Sequence, residues 1–208
     1  MVYDLLIVGG GVSGVSCALV IGSGMKKPFA KDKKVAIIPH QRASSLQDAI
    51  FYNAYGIAPG TLGTTLMTNS MEQLASLYPE VDILPTKKIH QIEFLQDKYR
   101  LSTLQEEVLE AKIVVLAIGG GNPISIQGLD GFIRPHEKTP IEKNRIQLRN
   151  HDHMVREGLY VCGTLAGHRS QLAIASGSGA AVATDILTLW NHGKHVQVHD
   201  RDPNKPKH

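Results

Sequence analysis

The apolar positions along the chain begin with a short run, Val2–Val8, in which residues 5–8 are all apolar, and this run predicts a buried strand. Glycines at 9–11 then predict a turn, and the small residues at 13–21 predict a helix. A second apolar strand is predicted at 34–39. The order strand, glycine turn, helix, strand is a βαβ unit, which predicts a parallel sheet.

The rest of the chain is less regular, but its apolar spacing predicts several further elements. The predicted elements are a helix at 64–77, short antiparallel strands at 81–84, 88–95 and 99–103, a buried strand at 111–118, a strand at 158–162 and a long helix at 171–190. Residues 45–63 and 122–157 are rich in loop-forming or polar residues. The polar residues 191–208 predict a loose C-terminal tail.

Length and composition narrow the class of protein. The 208 residues suit one domain or two small ones. Lys plus Arg number 22 and Asp plus Glu 19, so the positive surplus is too small to indicate a nucleic-acid partner. Cys17 and Cys162 cannot form a disulfide framework, and the sequence has no CxxC redox pair.

One uncharged stretch, residues 5–25, is long enough to cross a bilayer. It contains six glycines, and no basic segment precedes it as in a signal peptide. We therefore expect no membrane span here and no membrane partner. We expect a cytoplasmic protein.

The glycine turn has the spacing of a dinucleotide-binding loop. Gly9, Gly11 and Gly14 form Gly-x-Gly-x-x-Gly between a strand and a helix. Such glycines permit a tight turn, approach of the backbone to a pyrophosphate, and close packing of helix on strand. No carboxylate for a ribose hydroxyl follows the second strand, where Arg42 could instead meet a 2′-phosphate. The turn thus predicts a dinucleotide site, with NADP binding and a simple packing turn as alternatives.

Beyond the turn, the sequence resembles the thioredoxin reductase-like branch of the FAD-dependent pyridine nucleotide–disulfide oxidoreductases over most of residues 1–190. The segments that carry the resemblance are VGGGVSG at 8–14, the stretch from Asn53 to Gly63 with Tyr55 in place of the usual Pro, VVLAIGGG at 114–121, and GLYVCGT followed by QLAIASGSGAAVA within 158–183. The resemblance implies an α/β fold, in which a Rossmann-like FAD-binding domain with a central parallel sheet carries a small antiparallel β-sheet.

The resemblance also implies FAD as the cofactor and a set of residues that contact it. The implied contacts are Gly9, Gly11, Val12, Ser13 and Gly14 at the pyrophosphate, Pro39, His40, Lys88 and Ile89 near the adenosine, Asn53, Gly163 and Thr164 near the ribityl chain and flavin, Ala117 and Gly119 in the third segment, and the backbone of Gln171, Leu172 and Ala173 at the flavin ring. The last assignment suits a helix N-terminus, which stabilises the negative charge of a reduced flavin.

The sequence also departs from the family pattern at the cofactor site and in its domain organisation. Thr164 stands where the family has an Asp that accepts hydrogen bonds from the ribityl chain. The family also inserts an NAD(P)-binding domain of about a hundred residues after the third segment, whereas only residues 122–157 join Gly121 to Gly158 here. We therefore expect a single FAD-binding domain at 1–190, without the NAD(P) module or its CxxC, and a polar tail at 191–208.

Cys162 and His168 are the candidate catalytic residues. Cys162 precedes Gly163 and could place a thiol near the flavin, although a core position at a strand end is the favoured interpretation. His168 precedes the predicted flavin helix and could donate a proton, with an ordinary surface position as the alternative. The ten histidines lack an ordered set of partner ligands in the sequence, so we expect no metal site.

The favoured function is an FAD-dependent oxidoreductase that transfers a hydride or electrons through flavin N5. Its reductant would be diffusible NAD(P)H or a partner protein, and a homodimer could cover the exposed flavin. The alternatives are an FAD-binding regulatory or scaffold module without turnover and an NADP-binding Rossmann protein.

Overall fold

The structure, a computed structural model, describes residues 1–39, 46–121 and 126–198. The strands are β1 (Val2–Val8), β2 (Val35–Ile38), β3 (Ile50–Phe51), β4 (Thr61–Leu62), β5 (Val81–Ile83), β6 (Ile89–Leu95), β7 (Lys98–Thr103), β8 (Val108–Leu116), β9 (Ile133–Pro135), β10 (Ile146–Leu148), β11 (Met154–Arg156) and β12 (Leu159–Val161). The helices are α1 (Val12–Gly24), α2 (Gly63–Leu77) and α3 (Leu172–Trp190), with short 3-10 helices at Asp130–Phe132, Ile141–Lys143 and Gly163–Ala166.

A mostly parallel sheet forms the centre of the molecule, with the strand order β11-β12-β8-β1-β2-β5. The pairs β1–β2, β1–β8, β12–β8 and β2–β5 are parallel. In β1, Leu5 and Val8 have no exposed surface, because layers cover both faces of the sheet. The predicted α/β class and Rossmann-like parallel sheet are confirmed.

The orientation predicted for the strand at 81–84 was wrong. This segment forms β5, which pairs in parallel with β2 through Val81 and Val35, rather than joining the antiparallel strands. Only Val81 is buried in this three-residue strand. A strand this short has no alternation from which its direction or partner can be predicted.

A small antiparallel sheet grows from the long strand β8. The first part of β8 pairs antiparallel with β7, as at Glu110 and Arg100, and β7 pairs antiparallel with β6. The second part of β8 pairs with β1, as at Leu116 and Val8. β8 is therefore the strand through which the predicted antiparallel sheet joins the central one.

Two apolar layers enclose the central sheet. On one face, α1 and α3 pack together through residues such as Ile21 and Ile186, both fully buried. Ser16 in α1 donates a hydrogen bond of 2.8 Å to the Ser176 carbonyl in α3. The other face is covered by β6, β7 and the β9–β10 hairpin, with Leu148 fully buried. Burial of each such side chain contributes about 1.5–3 kcal/mol.

The stretch that could have crossed a membrane is part of this core. Residues 5–25 form most of β1, the glycine turn and α1, and Cys17 and Ile21 have no exposed surface. Helix α3 has the length and apolar composition of a membrane span. Its Val182 and Leu187 are nevertheless fully buried against the rest of the chain. The inward face of α3 is therefore part of the apolar core.

The described part of the tail, residues 191–198, packs against the helical layer. Val196 is only 7% exposed and belongs to the same apolar cluster as Ile21. The beginning of the segment predicted as a loose tail is therefore held by the core. The rest of it, 199–208, lies outside the described residues.

Candidate functional site

The glycine turn connects β1 to α1 and packs against the end of β8. Gly9 has a φ of +124°, and a Cβ there would lie 2.4 Å from the Ala117 carbonyl oxygen. A Cβ at Gly14 would lie 1.9 Å from the Gly9 carbonyl oxygen. Neither position can carry a side chain without moving backbone. The turn is tight because the first turn of α1 rests directly on the strand ends.

Gly11 has a different role from its two neighbours in the motif. It is the N-cap of α1, makes no side-chain capping bond, and faces open space, because a Cβ there would meet nothing within 4 Å. The first N–H groups of a helix have no partners within it, and the helix dipole makes this end positive. Pro39, at the end of β2, flanks the same turn, 3.3 Å from a Cβ built on Gly10.

The segment after β12 meets this turn from the far end of the chain. The Gly163 N–H donates a 2.9 Å hydrogen bond to Ser178 Oγ, and a Cβ on Gly163 would lie 2.8 Å from Ser13 Oγ. Thr164 Oγ1 accepts a 2.9 Å hydrogen bond from the Gly120 N–H. The first, third and fourth predicted cofactor segments therefore lie together, at the carboxyl ends of β1, β8 and β12.

The N-terminus of α3 lies next to these three segments. Gln171 is the N-cap, again without a side-chain capping bond. Gln171 and Ala173 are exposed, and Leu172 is half-buried. The helix thus presents a second set of unpartnered N–H groups at the surface. Two helix N-termini, α1 and α3, supply positive ends to the same region.

Ser178 connects this region to two histidines. His153 Nε2 lies 3.0 Å from Ser178 Oγ and 3.0 Å from His168 Nε2. Because Ser178 accepts the Gly163 N–H, its own proton is available to the His153 ring. Burial lowers the pKa of His153, an effect that Asp152 opposes. Burial also lowers the pKa of His168, and the neighbouring charge of His153 adds to the effect.

Residues 3–164 match the protein family described as pyridine nucleotide-disulphide oxidoreductase. The chain belongs to this family. It is accordingly a flavoprotein oxidoreductase with FAD as its cofactor. No curated relative matches the sequence significantly.

Solved structures share the fold of this family member at low sequence identity. A thioredoxin reductase from Gloeobacter violaceus superposes with a TM-score of 0.74 at 12% identity, over 97% of this chain and 99% of that one. A ferredoxin-flavin thioredoxin reductase from Clostridium acetobutylicum gives 0.68 at 15% identity, over 92% and 98%. An oxidoreductase from Agrobacterium tumefaciens gives 0.67 at 12% identity, over 89% and 97%. At these identities, the likeness concerns the fold alone.

The residues of the glycine turn fit FAD. The open space at Gly11 and the uncapped start of α1, with Val12 and Ser13, suit a pyrophosphate that approaches the backbone. Ala117 lies against the turn, and a Cβ on Gly119 would be 3.8 Å from Thr164 Oγ1. The site thus has a place for the charged middle of the cofactor.

The remaining predicted cofactor contacts lie outside the cluster around the glycine turn, or the structure does not test them. Asn53 is exposed in the connection between β3 and β4, which form a separate two-stranded sheet. Lys88 is exposed, whereas Ile89 is fully buried in the core, so its side chain is not free to meet a cofactor. His40 and Arg42 lie outside the described residues. Their contacts stay predictions.

Cys162 lies in the core rather than on an open surface. It has no exposed area, and its Sγ lies 3.9 Å from the Leu116 carbonyl oxygen. Burial raises the pKa of the Cys162 thiol to about 12, although a hydrogen bond with Ser13 opposes this. A thiol of this kind stays protonated at neutral pH and is a poor nucleophile. Its surroundings therefore favour the packing interpretation.

Sequence reasoning missed the residues that hold the Gly163 segment. Ser178 sits in a small-residue helix, where a serine resembles a packing residue, and His153 stands in a polar stretch without regular spacing. Nothing local marks either residue. Among the described residues, no cluster of three or more potential ligands could hold a metal ion.

Proposed function

We propose that this FAD-dependent oxidoreductase transfers a hydride or electrons through flavin N5 and takes its reductant from outside the chain, as diffusible NAD(P)H or a reduced partner protein. One observation supports the external reductant. Between β8 and β12, the described residues 117–121 and 126–158 contain only short strands and two three-residue 3-10 helices. A nucleotide-binding domain needs a βαβ unit of about 30 residues or more. We propose a single FAD-binding domain at 1–190.

In this proposal, the chain's own residues bind and orient the cofactor. The backbone of Gly11 and Val12 binds the pyrophosphate at the start of α1. Gly163 and Thr164 lie at the ribityl chain, and their segment is held by Ser178. The uncapped start of α3 favours negative charge on the bound ring. Bound FAD supplies the redox chemistry, since none of these side chains carries electrons.

We also propose that the protein works in the cytoplasm and that a second copy can cover the exposed site. Ile174, in the first turn of α3, is 38% exposed. An apolar side chain beside an open cofactor site suits contact with a neighbouring subunit or a redox partner.

The second candidate function is an FAD-binding module without turnover. It is favoured by Thr164, whose Oγ1 already accepts the Gly120 N–H, and by the burial of Cys162. Neither side chain offers a strong acid, base or nucleophile to a substrate. The two candidates differ in whether the bound flavin can be reduced by a physiological donor.

Anaerobic reduction of the purified, FAD-loaded protein tests the proposal. We expect an absorption band near roughly 450 nm, as for oxidised flavins, which NADH or NADPH bleaches over multiple turnovers once an acceptor is added. A band that dithionite bleaches but neither nucleotide nor a reduced carrier protein does would favour the module. Gly11→Ala serves as the control, because it is expected to fold and to retain less FAD, with a weaker band.

A further inference from the structure

A cavity of about 410 Å³ lies beside the segment of Gly163 and Thr164, which we propose to contact the ribityl chain and flavin and call the flavin segment. The proposed FAD contacts do not include the residues that line this cavity. Its walls come from the β9–β10 hairpin with the residues that follow each strand, and from Ala166 and Gly167 after β12. Ala166 and Gly167 follow Thr164 almost directly in the sequence. Cavities of this size hold small organic molecules.

Hydrogen bonds within and between the two walls hold the cavity in shape. Asn150 Nδ2 donates to the Leu148 carbonyl at 2.8 Å and to the Ala166 carbonyl at 3.2 Å. The His136 ring, only 6% exposed, has its Nε2 3.2 Å from the His168 carbonyl oxygen. These bonds, from half-buried Asn150 and buried His136, hold the walls of the cavity, whereas the charged side chains that line it are exposed.

The polar groups that line the cavity are mainly cationic. Arg134, Lys138 and Arg149 line it, against the single lining carboxylate of Glu137. Within the described part of the chain, no salt bridge joins any of these three cations to a carboxylate. The cavity therefore carries an excess of two positive charges that no described carboxylate pairs, although the Arg149 guanidinium lies over the Phe132 ring, 5.8 Å from its centroid.

A buried amide adds a neutral donor to these charges. Gln147 is 8% exposed, lines the cavity and lies directly opposite Arg134 in the β9–β10 ladder. Its Oε1 accepts the Glu137 N–H at 3.1 Å. Its Nε2 makes no hydrogen bond to the described residues and is left to donate into the cavity. Two guanidinium groups, one ammonium and one amide form a donor-rich site that suits phosphate oxygens.

We propose that this cavity binds the phosphate groups of a small organic phosphate. Resting on the proposed function, we assign that molecule as the reduced nicotinamide dinucleotide that donates electrons to the flavin. The three cations line a cavity of about 410 Å³, a size that suits a small molecule better than an acidic protein. The assignment gives the external reductant a place next to the flavin segment.

Calorimetric titration with inorganic pyrophosphate tests the site directly, on both the FAD-loaded and the FAD-free protein. We expect binding to wild type and an affinity lower by about tenfold or more in the double variant Arg134→Gln, Arg149→Gln, which removes two charge-assisted contacts. The matched control is Lys27→Gln, Lys31→Gln, an equal charge change on the exposed loop after α1. This control is expected to bind pyrophosphate as wild type does.

Three results would overturn the anion site: equal pyrophosphate affinity in both double variants, no binding to wild type, or displacement of pyrophosphate by saturating FAD. Poly-glutamate could instead bind more tightly than pyrophosphate and lose this binding in the double variant Arg134→Gln, Arg149→Gln, called the cavity variant. That result would identify an acidic protein, rather than a small molecule, as the occupant. These titrations measure anion binding even if the flavin is never reduced. A negative result for the anion site can therefore be distinguished from a failure of the proposed oxidoreductase function.

Steady-state kinetics tests the donor assignment. In the cavity variant, we expect KM for NADH or NADPH to rise by about tenfold or more with kcat little changed, because the lost contacts hold the donor and do not act on the reacting atoms. An unchanged KM in a variant that no longer binds pyrophosphate would refute the nicotinamide dinucleotide as the occupant.

Discussion

His153 is a buried histidine whose neutral form the fold needs. Its Nε2 faces both Ser178 Oγ and His168 Nε2 at 3.0 Å, and two protonated Nε2 atoms cannot face each other at that distance. Since burial lowers its pKa in the folded protein, the unfolded chain binds the proton more readily. Acid below the ordinary histidine pKa of about 6.5 therefore favours unfolding.

We predict that the free energy of unfolding falls as the pH falls below about 6.5, with His153 contributing a slope of up to about 1.4 kcal/mol per pH unit. His153→Gln should lose this part of the slope, whereas His195→Gln, at an exposed position, should keep it. Urea unfolding at pH values between roughly 5.5 and 7.5 measures both. If the free energy of unfolding changes with pH equally in wild type and in His153→Gln, His153 does not control stability in acid.

Cys162 gives a second prediction for a single side chain. Because it is fully buried and its thiol pKa lies near 12, we expect a thiol reagent to modify it only after unfolding. Cys162→Ala should cost about 1–3 kcal/mol of stability and leave flavin reduction within about twofold. Cys17→Ala, at an equally buried position in α1, is the control. A loss of flavin reduction beyond about tenfold in Cys162→Ala alone would make this thiol catalytic.

At the scale of elements, substitutions at two positions of the glycine turn should have different effects, one on folding stability and the other on cofactor binding. A Cβ at Gly14 meets backbone at 1.9 Å, so Gly14→Ala should cost about 3 kcal/mol or more. A Cβ at Gly11 meets only open space, so Gly11→Ala should cost less than about 1 kcal/mol and weaken FAD binding by about tenfold or more. Urea unfolding and flavin fluorescence titration measure the two effects. Wild-type FAD affinity in Gly11→Ala would place the pyrophosphate elsewhere.

The elements that sequence could predict are those whose pattern is long or distinctive. Residues 5–8 of β1 and the second part of β8 are continuous apolar runs, which predict buried strands, and the glycine spacing identified the turn between β1 and α1. β5 has three residues and one buried side chain, so its partner could be known only from the assembled sheet. Ser178 and His153 meet across the fold, and no local pattern encodes such a contact.

At the scale of the whole molecule, the cofactor segments come from both ends of the chain and converge on one site. A ligand that spans them should stabilise the whole fold. At a free FAD concentration of about 100 times its Kd, the stabilisation is about 2.7 kcal/mol. For a domain of this size, we predict a rise in Tm of roughly 5–10 °C over the FAD-free protein.

Thermal unfolding with and without FAD measures this shift. Riboflavin, which lacks the pyrophosphate and adenosine, is the control ligand and should raise Tm much less. An equal shift with riboflavin would mean that the glycine turn does not take part in binding. No shift with FAD would mean that the fold does not hold the cofactor at this concentration.

The hydrogen bond between Ser16 and Ser176 joins residues 160 positions apart. During synthesis, α1 therefore emerges long before α3, the helix that covers it. Its apolar face stays without this packing partner until most of the chain has been made. The two uncapped helix ends and the segment after β12 come together only once α3 has docked. We therefore expect FAD to bind only after α3 has docked, so that a shortage of FAD would leave folded chains without their cofactor.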